Sequence, residues 1–185
     1  MREYGPRFGI TGKIVEKEVF GKSPETSTET REASGHEEYL SFRVAMLEIK
    51  KDQDSPESKI DPSDPDKEFA NDLHASIAEE MTPEDYERLR FYTAIDTVLD
   101  RFHGVDGFME FDLDGGETIV ITLDVTTNPN KLDYKADVII LIPSEGVDRK
   151  VDPEEYEEAL QKAIQDVLGM LKSKIQGRRT ATYAK

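Results

Sequence analysis

The sequence predicts a mixed α/β or α+β fold, in which a largely antiparallel sheet packs against two or three helices. Three observations predict it: three strand-like segments follow one another between residues 103 and 143, two more lie near the N-terminus, and several segments combine helical periodicity with clear start signals. The 185 residues suffice for one domain with a real core. We therefore expect a single domain over residues 1–185.

Two N-terminal segments, residues 8–20 and 39–50, are rich in β-branched and aromatic residues and approximately alternate in polarity. In the second segment the alternation places Leu40, Phe42 and Val44 on one side of a strand. These segments are predicted to form an antiparallel pair of strands.

Two polar stretches flank the second of these segments. Residues 21–37 are rich in Ser, Thr and Glu without apolar periodicity, which predicts a mobile loop. Residues 51–66 contain three prolines and alternating charges, which predicts a polar linker.

Three helices are predicted in the remainder. The first covers residues 66–81, where apolar residues recur every four positions. The second begins with Thr82 as N-cap and ends at Gly104 as a C-terminal glycine. The third begins with Asp152 as N-cap and keeps its apolar periodicity to Ile175.

A central three-stranded meander is predicted from residues 107–112, 117–126 and 136–142, with a hairpin turn at residues 114–116. Alternation in the middle strand places Asp124 on the face opposite to its apolar residues. The third strand is apolar on both faces, so we expect helices to cover the sheet.

Composition excludes several classes of protein. No apolar run is long enough for a membrane span, the N-terminus lacks the apolar core of a signal peptide, and cysteine is absent, so we expect a cytoplasmic protein without disulfides. The net charge of −16 repels phosphate backbones unless cations gather on one face. The charged residues from Lys172 onward are all cations, which also suits the dipole at the end of a helix. Tyrosine and phenylalanine fall at core periodicities, which predicts packing rather than a base-stacking platform.

Two aspartates stand where adjacent predicted strands come together. Two carboxylates on neighbouring strands can hold Mg²⁺ or Mn²⁺, which activates water and neutralises charge on a phosphodiester. A structural alternative is open for each. Asp106, between two glycines, would accept backbone hydrogen bonds in a turn, and Asp124 in mid-strand must be exposed or paired.

The succession of helix, strand with an aspartate, hairpin and strand with a second acid resembles the PD-(D/E)XK nuclease superfamily of the RecB-like type. The matching residues are Asp106 in GVDGF and Asp124 in ITLDVTT, eighteen positions apart, and the resemblance covers residues 82–175. It implies a nuclease-like core, a nucleic-acid substrate and Mg²⁺ or Mn²⁺ as cofactor, with both aspartates as metal ligands.

The resemblance also implies a catalytic lysine, but Thr126 occupies its position, and a hydroxyl cannot supply the positive charge. Lys131 and Lys135 follow shortly afterwards and are the candidates for a displaced catalytic lysine. The family's further ligand, a glutamate on the preceding helix, corresponds to Glu87 or Glu84.

Three functional interpretations remain open on the sequence. The chain is a metal-dependent nuclease, a nuclease-like protein without catalysis, or a noncatalytic acidic module that binds a protein partner. A homodimer through the C-terminal helix or the N-terminal strands is compatible with each.

Overall fold

The computed structural model describes residues 12–23, 39–81, 88–113, 116–131 and 135–183, with side chains described up to residue 178. Within these ranges the chain forms five helices and four strands. In chain order they are α1 (Gly12–Phe20), α2 (Phe42–Gln53), α3 (Glu68–Glu80), β1 (Leu89–Thr93), α4 (Val98–His103), β2 (Gly107–Asp112), β3 (Thr118–Thr126), β4 (Val138–Leu141) and α5 (Pro153–Tyr183).

The strands form one mixed sheet in the order β1-β2-β3-β4. The pairs β1–β2 and β2–β3 are antiparallel, whereas β4 runs parallel to β3. The predicted mixed, largely antiparallel sheet is therefore confirmed. The meander, however, consists of β1, β2 and β3, because the connection after β3 carries the chain back before β4 begins.

Helices cover both faces of the sheet. On one face, apolar side chains of α1, α3 and α5 pack against Ile119, Ile121 and Leu123 of β3. On the other face, α2 and α4 pack against Tyr92 and Phe108. The alternation read from β3 holds, since its odd-numbered apolar residues lie in the first layer and Val120 packs in the second.

The predicted N-terminal strand pair is wrong, because both segments form helices in their described parts. In α1 the buried residues include Val15 and Val19, which are four positions apart. In α2 the buried residues include Ala45 and Ile49, again four apart, while the alternating Val44 is exposed. Burial against the sheet therefore follows the helical period, which overrides the β-propensity of these residues.

The predicted helix from Thr82 to Gly104 is wrong in its middle part. Residues 82–87 lie outside the described residues, β1 occupies Leu89–Thr93, and only Val98–His103 is helical. Gly104 is the predicted C-terminal glycine, with a left-handed backbone at φ 62°.

The polar stretches have different outcomes. Residues 24–38, most of the predicted mobile loop, lie outside the described residues. Residues 51–53 complete α2, and the rest of the predicted linker is largely exposed, except that Pro62 and Pro65 are buried. The carbonyl of Pro62 accepts a hydrogen bond from the Phe91 amide of β1 at 2.7 Å.

The other predicted helices and strands are confirmed, whereas residues 114 and 115 of the predicted hairpin turn lie outside the described residues. The helix over residues 66–81 corresponds to α3, the strands at 107–112 and 117–126 to β2 and β3, and the strand at 136–142 to β4. Asp152 caps α5, because its carboxylate accepts from the Glu155 amide at 3.1 Å. None of the helices in the described ranges is long and apolar enough to cross a membrane.

Side chains cover the part of the β3 edge that β4 does not pair. β4 pairs with β3 only from Leu123 onward. Before that point the Asp137 carboxylate accepts from the Thr122 amide at 2.9 Å and from Lys174 Nζ at 2.7 Å. Lys174 Nζ also donates to the Val120 carbonyl at 2.8 Å. This network satisfies the exposed strand edge and fixes α5 against it.

Asp137→Ala is expected to lower the free energy of unfolding by about 1–3 kcal/mol, because the Thr122 amide loses its acceptor and Lys174 loses one of its two acceptors. Urea denaturation followed by circular dichroism measures the change. Asp166→Ala is the matched control, since Asp166 forms an exposed pair with Lys162 on the same helix, and should cost about 0.5 kcal/mol or less. Equal losses in both variants would contradict this role of Asp137.

Candidate active site

Asp106 lies just before β2 and is buried, with 3% of its surface exposed. Its backbone amide donates to the Leu123 carbonyl at 2.9 Å, and its Oδ2 accepts from the Val125 amide at 2.7 Å. The carboxylate therefore bonds across to β3 and does not close the local turn that its flanking glycines suggested. This hydrogen bond uses Oδ2 of the carboxylate.

Two further carboxylates approach Asp106 from helices. Glu16 comes from α1, which packs against β3, and Asp100 comes from α4. One oxygen from each of Glu16, Asp100 and Asp106 lies within 4.8 Å of the others. We call these three residues the carboxylate cluster.

The ends of α4 are fixed, and this positions Asp100. Thr97 caps the helix by accepting from the Leu99 amide, and the second oxygen of Asp100 accepts from the Asp96 amide at 2.9 Å. Gly104 ends the helix two residues before Asp106. The short helix thus holds Asp100 in place and ends just before Asp106.

Asp124 on β3 is also buried and forms an ion pair with Lys131. The loop that carries Lys131 is ordered by hydrogen bonds within it: the Lys131 amide donates to the Asn128 carbonyl, and the Asn130 amide donates to the Asn128 side chain. The lysine ammonium is thereby kept at the end of β3 beside a buried acid.

Burial and mutual repulsion disfavour ionisation throughout the cluster. Burial, followed by the charges of Glu16, Asp124 and Asp100, raises the pKa of Asp106 to about 8, against the lowering effect of the Val125 hydrogen bond. Burial and the charge of Asp100 raise the pKa of Glu16, and burial is likewise the main cause that raises the pKa of Asp100. A cation held among these groups would offset both effects.

The donor set fits a hard divalent cation. All the ligand atoms are carboxylate oxygens, which Mg²⁺ and Mn²⁺ prefer. Oxygens on one octahedral Mg²⁺ at about 2.0–2.1 Å lie roughly 3–4 Å apart. The cluster spacing of up to 4.8 Å therefore requires only small side-chain rotations.

Only some of the site residues predicted from the sequence lie together in the structure. Asp106 and Asp124 lie close enough that the charge of Asp124 raises the pKa of Asp106, and Lys131 contacts Asp124. Lys135 is exposed, and its side chain packs beside Gly104. Its Cδ atom lies 3.3 Å from the position that a Cβ atom would occupy on that glycine. Glu87, like Glu84, lies outside the described residues.

Sequence reasoning missed Glu16 and Asp100 as members of the site. Glu16 sits in a segment that was predicted to be a strand, and Asp100 sits in a helix whose orientation the sequence left open. Helical burial of Val15 and Val19 is the signal that would have directed Glu16 towards the sheet.

No protein-family model, curated protein or solved structure matches the chain. The geometry of the site alone therefore supports the functional interpretation below.

In EDTA, the stability of Asp106→Asn relative to the original protein is expected to increase as pH rises from about 4 to 8. The folded-state pKa of Asp106 is raised to about 8 from 3.8, so its stabilising contribution is complete below the unfolded value and is lost as pH rises towards 8. Asparagine keeps the acceptor for the Val125 amide but does not titrate. The difference should grow at up to about 1.4 kcal/mol per pH unit.

Chemical denaturation of both proteins between pH 4 and 9 measures this difference. Asp112→Asn serves as the control, because hydrogen bonds and the charge of Arg90 lower the pKa of Asp112 below 3.8 despite partial burial, so its difference from the original protein should change little above about pH 5. A difference between Asp106→Asn and the original protein that does not change with pH would contradict the buried, repelled state of Asp106.

Proposed function

We propose that the protein is a metal-dependent nuclease of the PD-(D/E)XK type, which hydrolyses phosphodiester bonds in nucleic acid. The observation that carries the proposal is the buried Asp106 carboxylate, grouped with Glu16 and Asp100 and adjacent to the Asp124–Lys131 pair. A group of acids beside a lysine is typical of such catalytic sites. The carboxylate oxygens suit a metal ion, and the lysine amine suits a phosphate substrate.

Asp106, Glu16 and Asp100 are the residues that would hold Mg²⁺ or Mn²⁺, with Asp124 in electrostatic reach. When bound, such a cation supplies an activated water and neutralises charge on the phosphate. The protein residues provide the oxygen donors, and the burial of Asp106 and partial burial of Glu16 and Asp100 would strengthen their interaction with the cation.

Lys131 is proposed to supply the positive charge that Thr126 lacks. Its ammonium is paired with Asp124, two residues before Thr126 on the same strand. From there it can orient a water molecule by hydrogen bonding and stabilise negative charge that develops on the phosphate oxygens. Lys135 is the weaker candidate, because its side chain lies along Gly104 at the end of α4.

Cleavage of labelled DNA and RNA oligonucleotides, single-stranded and duplex, is expected in Mg²⁺ or Mn²⁺ and not in EDTA. Asp124→Asn and Lys131→Met should each lower kcat by about 10²–10⁴-fold, because they remove the buried acid or its ammonium partner. Lys135→Met is the matched control, with kcat expected within a few-fold of the original.

Gel-based turnover assays under saturating substrate measure these rates, and circular dichroism confirms that each variant is folded. Cleavage by Asp124→Asn at the original rate would indicate a contaminating nuclease and remove the proposal. Absence of cleavage in every metal and substrate would also remove it. A larger loss in Lys135→Met than in Lys131→Met would assign the displaced lysine to Lys135.

A second candidate function, a noncatalytic module for protein binding, is supported by a groove of about 460 Å³ at the end of β4 and the start of α5. Its lining includes Leu141, which is 40% exposed, two prolines, and the charged residues Glu155, Glu158 and Lys162. Apolar residues with a net acidic charge suit a segment that carries both apolar and basic residues.

If this groove binds a partner, Leu141→Gln should abolish a salt-sensitive interaction that the original protein makes in affinity capture at low and moderate salt. The side chain is already partly exposed, so the variant should fold normally. Capture that is the same for both proteins, or that does not weaken with salt, would contradict binding in this groove.

A further inference from the structure

A group of aromatic side chains is exposed beside the carboxylate cluster, although their periodicity predicted core packing. Tyr39 is 64% exposed, Phe102 41% and Phe42 39%. The ring centroids of Tyr39 and Phe102 lie 5.8 Å apart in an edge-to-face arrangement, and Phe42 meets the His103 ring in the same way at 5.5 Å. We call Tyr39, Phe42, Phe102 and His103 the aromatic patch.

The patch is held in place before any ligand binds. His103 Nε2 lies 2.9 Å from the Leu40 carbonyl, which ties the end of α4 to the segment that enters α2. The edge-to-face contacts fix the rings relative to one another. A preformed arrangement of this kind loses little conformational entropy when a flat ligand stacks on it.

The patch adjoins the proposed catalytic site through α4. Asp100 belongs to the carboxylate cluster and His103 to the aromatic patch, and residues three apart on a helix have Cβ atoms about 5–6 Å apart. Cations flank the patch, since Arg43 is exposed next to Phe42 and the stem of Lys135 lies against Gly104. In a chain of net charge −16, exposed cations next to the aromatic patch favour a ligand with a negatively charged backbone.

We infer that the aromatic patch binds unpaired bases, so that the substrate is a single-stranded nucleic acid or a single-stranded segment next to a duplex. Aromatic rings stack on the faces of unpaired bases, which a duplex keeps stacked on one another. The inference rests on the proposed nuclease site for the position of the scissile phosphate, from which the strand runs across α4 to the patch.

Fluorescence anisotropy of a labelled 15-nucleotide DNA single strand and its blunt duplex tests the inference, with Ca²⁺ replacing Mg²⁺ and oligonucleotide integrity checked on gels. Single strands should bind more tightly than the duplex. Phe102→Ala and Tyr39→Ala should each weaken single-strand binding by about 5- to 100-fold, and Phe102→Trp should restore it. Val151→Ala, which removes an equally exposed apolar side chain before α5, is the matched control and should leave affinity unchanged.

Equal affinity for single strands and duplex, or single-strand affinity unchanged in both alanine variants, would overturn the inference. Cleavage assays in Mn²⁺ separate this failure from that of the nuclease proposal. If the protein cleaves duplex DNA and the aromatic variants cleave it equally well, the nuclease proposal stands and the inference is wrong. If nothing is cleaved but Phe102→Ala weakens single-strand binding, the nuclease proposal fails and the patch is still a single-strand binding surface.

Discussion

The hydrogen bond from the Val125 amide to the buried Asp106 carboxylate links the fold to its candidate chemistry. It joins the residue before β2 to the end of β3. The pairing of these two strands therefore also fixes the position of the Asp106 carboxylate. It also leaves a carboxylate buried next to Glu16 and Asp100, where its ionised form is repelled. Burying like charges together costs stability, and a bound cation, as proposed above, would offset that cost.

The elements around this bond bring acidic side chains together at the carboxylate cluster. Thr97 and Gly104 bound a helix of only six residues, which carries Asp100 towards the cluster and Phe102 towards solvent. The α1 helix brings Glu16 from the far end of the sequence. On the outer edge of the sheet, Asp137 and Lys174 complete the hydrogen bonding of β3 and so keep the strand that carries Asp124 in register. The residues proposed to bind the metal, to position the lysine and to stack against unpaired bases would then be held by the same rigid elements.

The parts of the fold that the sequence predicts well are those with strong local signals. Asp152 and a long apolar period define α5, and glycines around an alternating apolar strand define β2 and β3. The errors come from short segments in which two periods fit equally well. In residues 39–50 alternation and helical spacing coincide, and only burial of Ala45 and Ile49 against the sheet selects the helix. The strand β1 was not predicted, because its apolar residues also fit the 3.6-residue period of the helix predicted over this segment.

The candidate site was predictable only as far as it lies on the two strands with clear alternation. Asp106, Asp124 and Lys131 follow one another along the chain, so their proximity could be inferred from a hairpin. Glu16 and Asp100 join through helix packing, and no local pattern reports which face of a helix will meet an acid on a distant strand. The aromatic patch was missed for the same reason, since periodicity identifies a possible core face without showing that a neighbour covers it.

The most direct test of the account is a crystal structure of the protein soaked in Mn²⁺, with anomalous scattering used to locate the ion. The account predicts one anomalous peak coordinated by Asp106 with oxygens from Glu16 or Asp100 and near Asp124, and its loss in crystals of Asp106→Asn. A cluster that stays without a peak at millimolar Mn²⁺, while surface acids bind the ion, would contradict the central claim that these buried carboxylates form a metal centre.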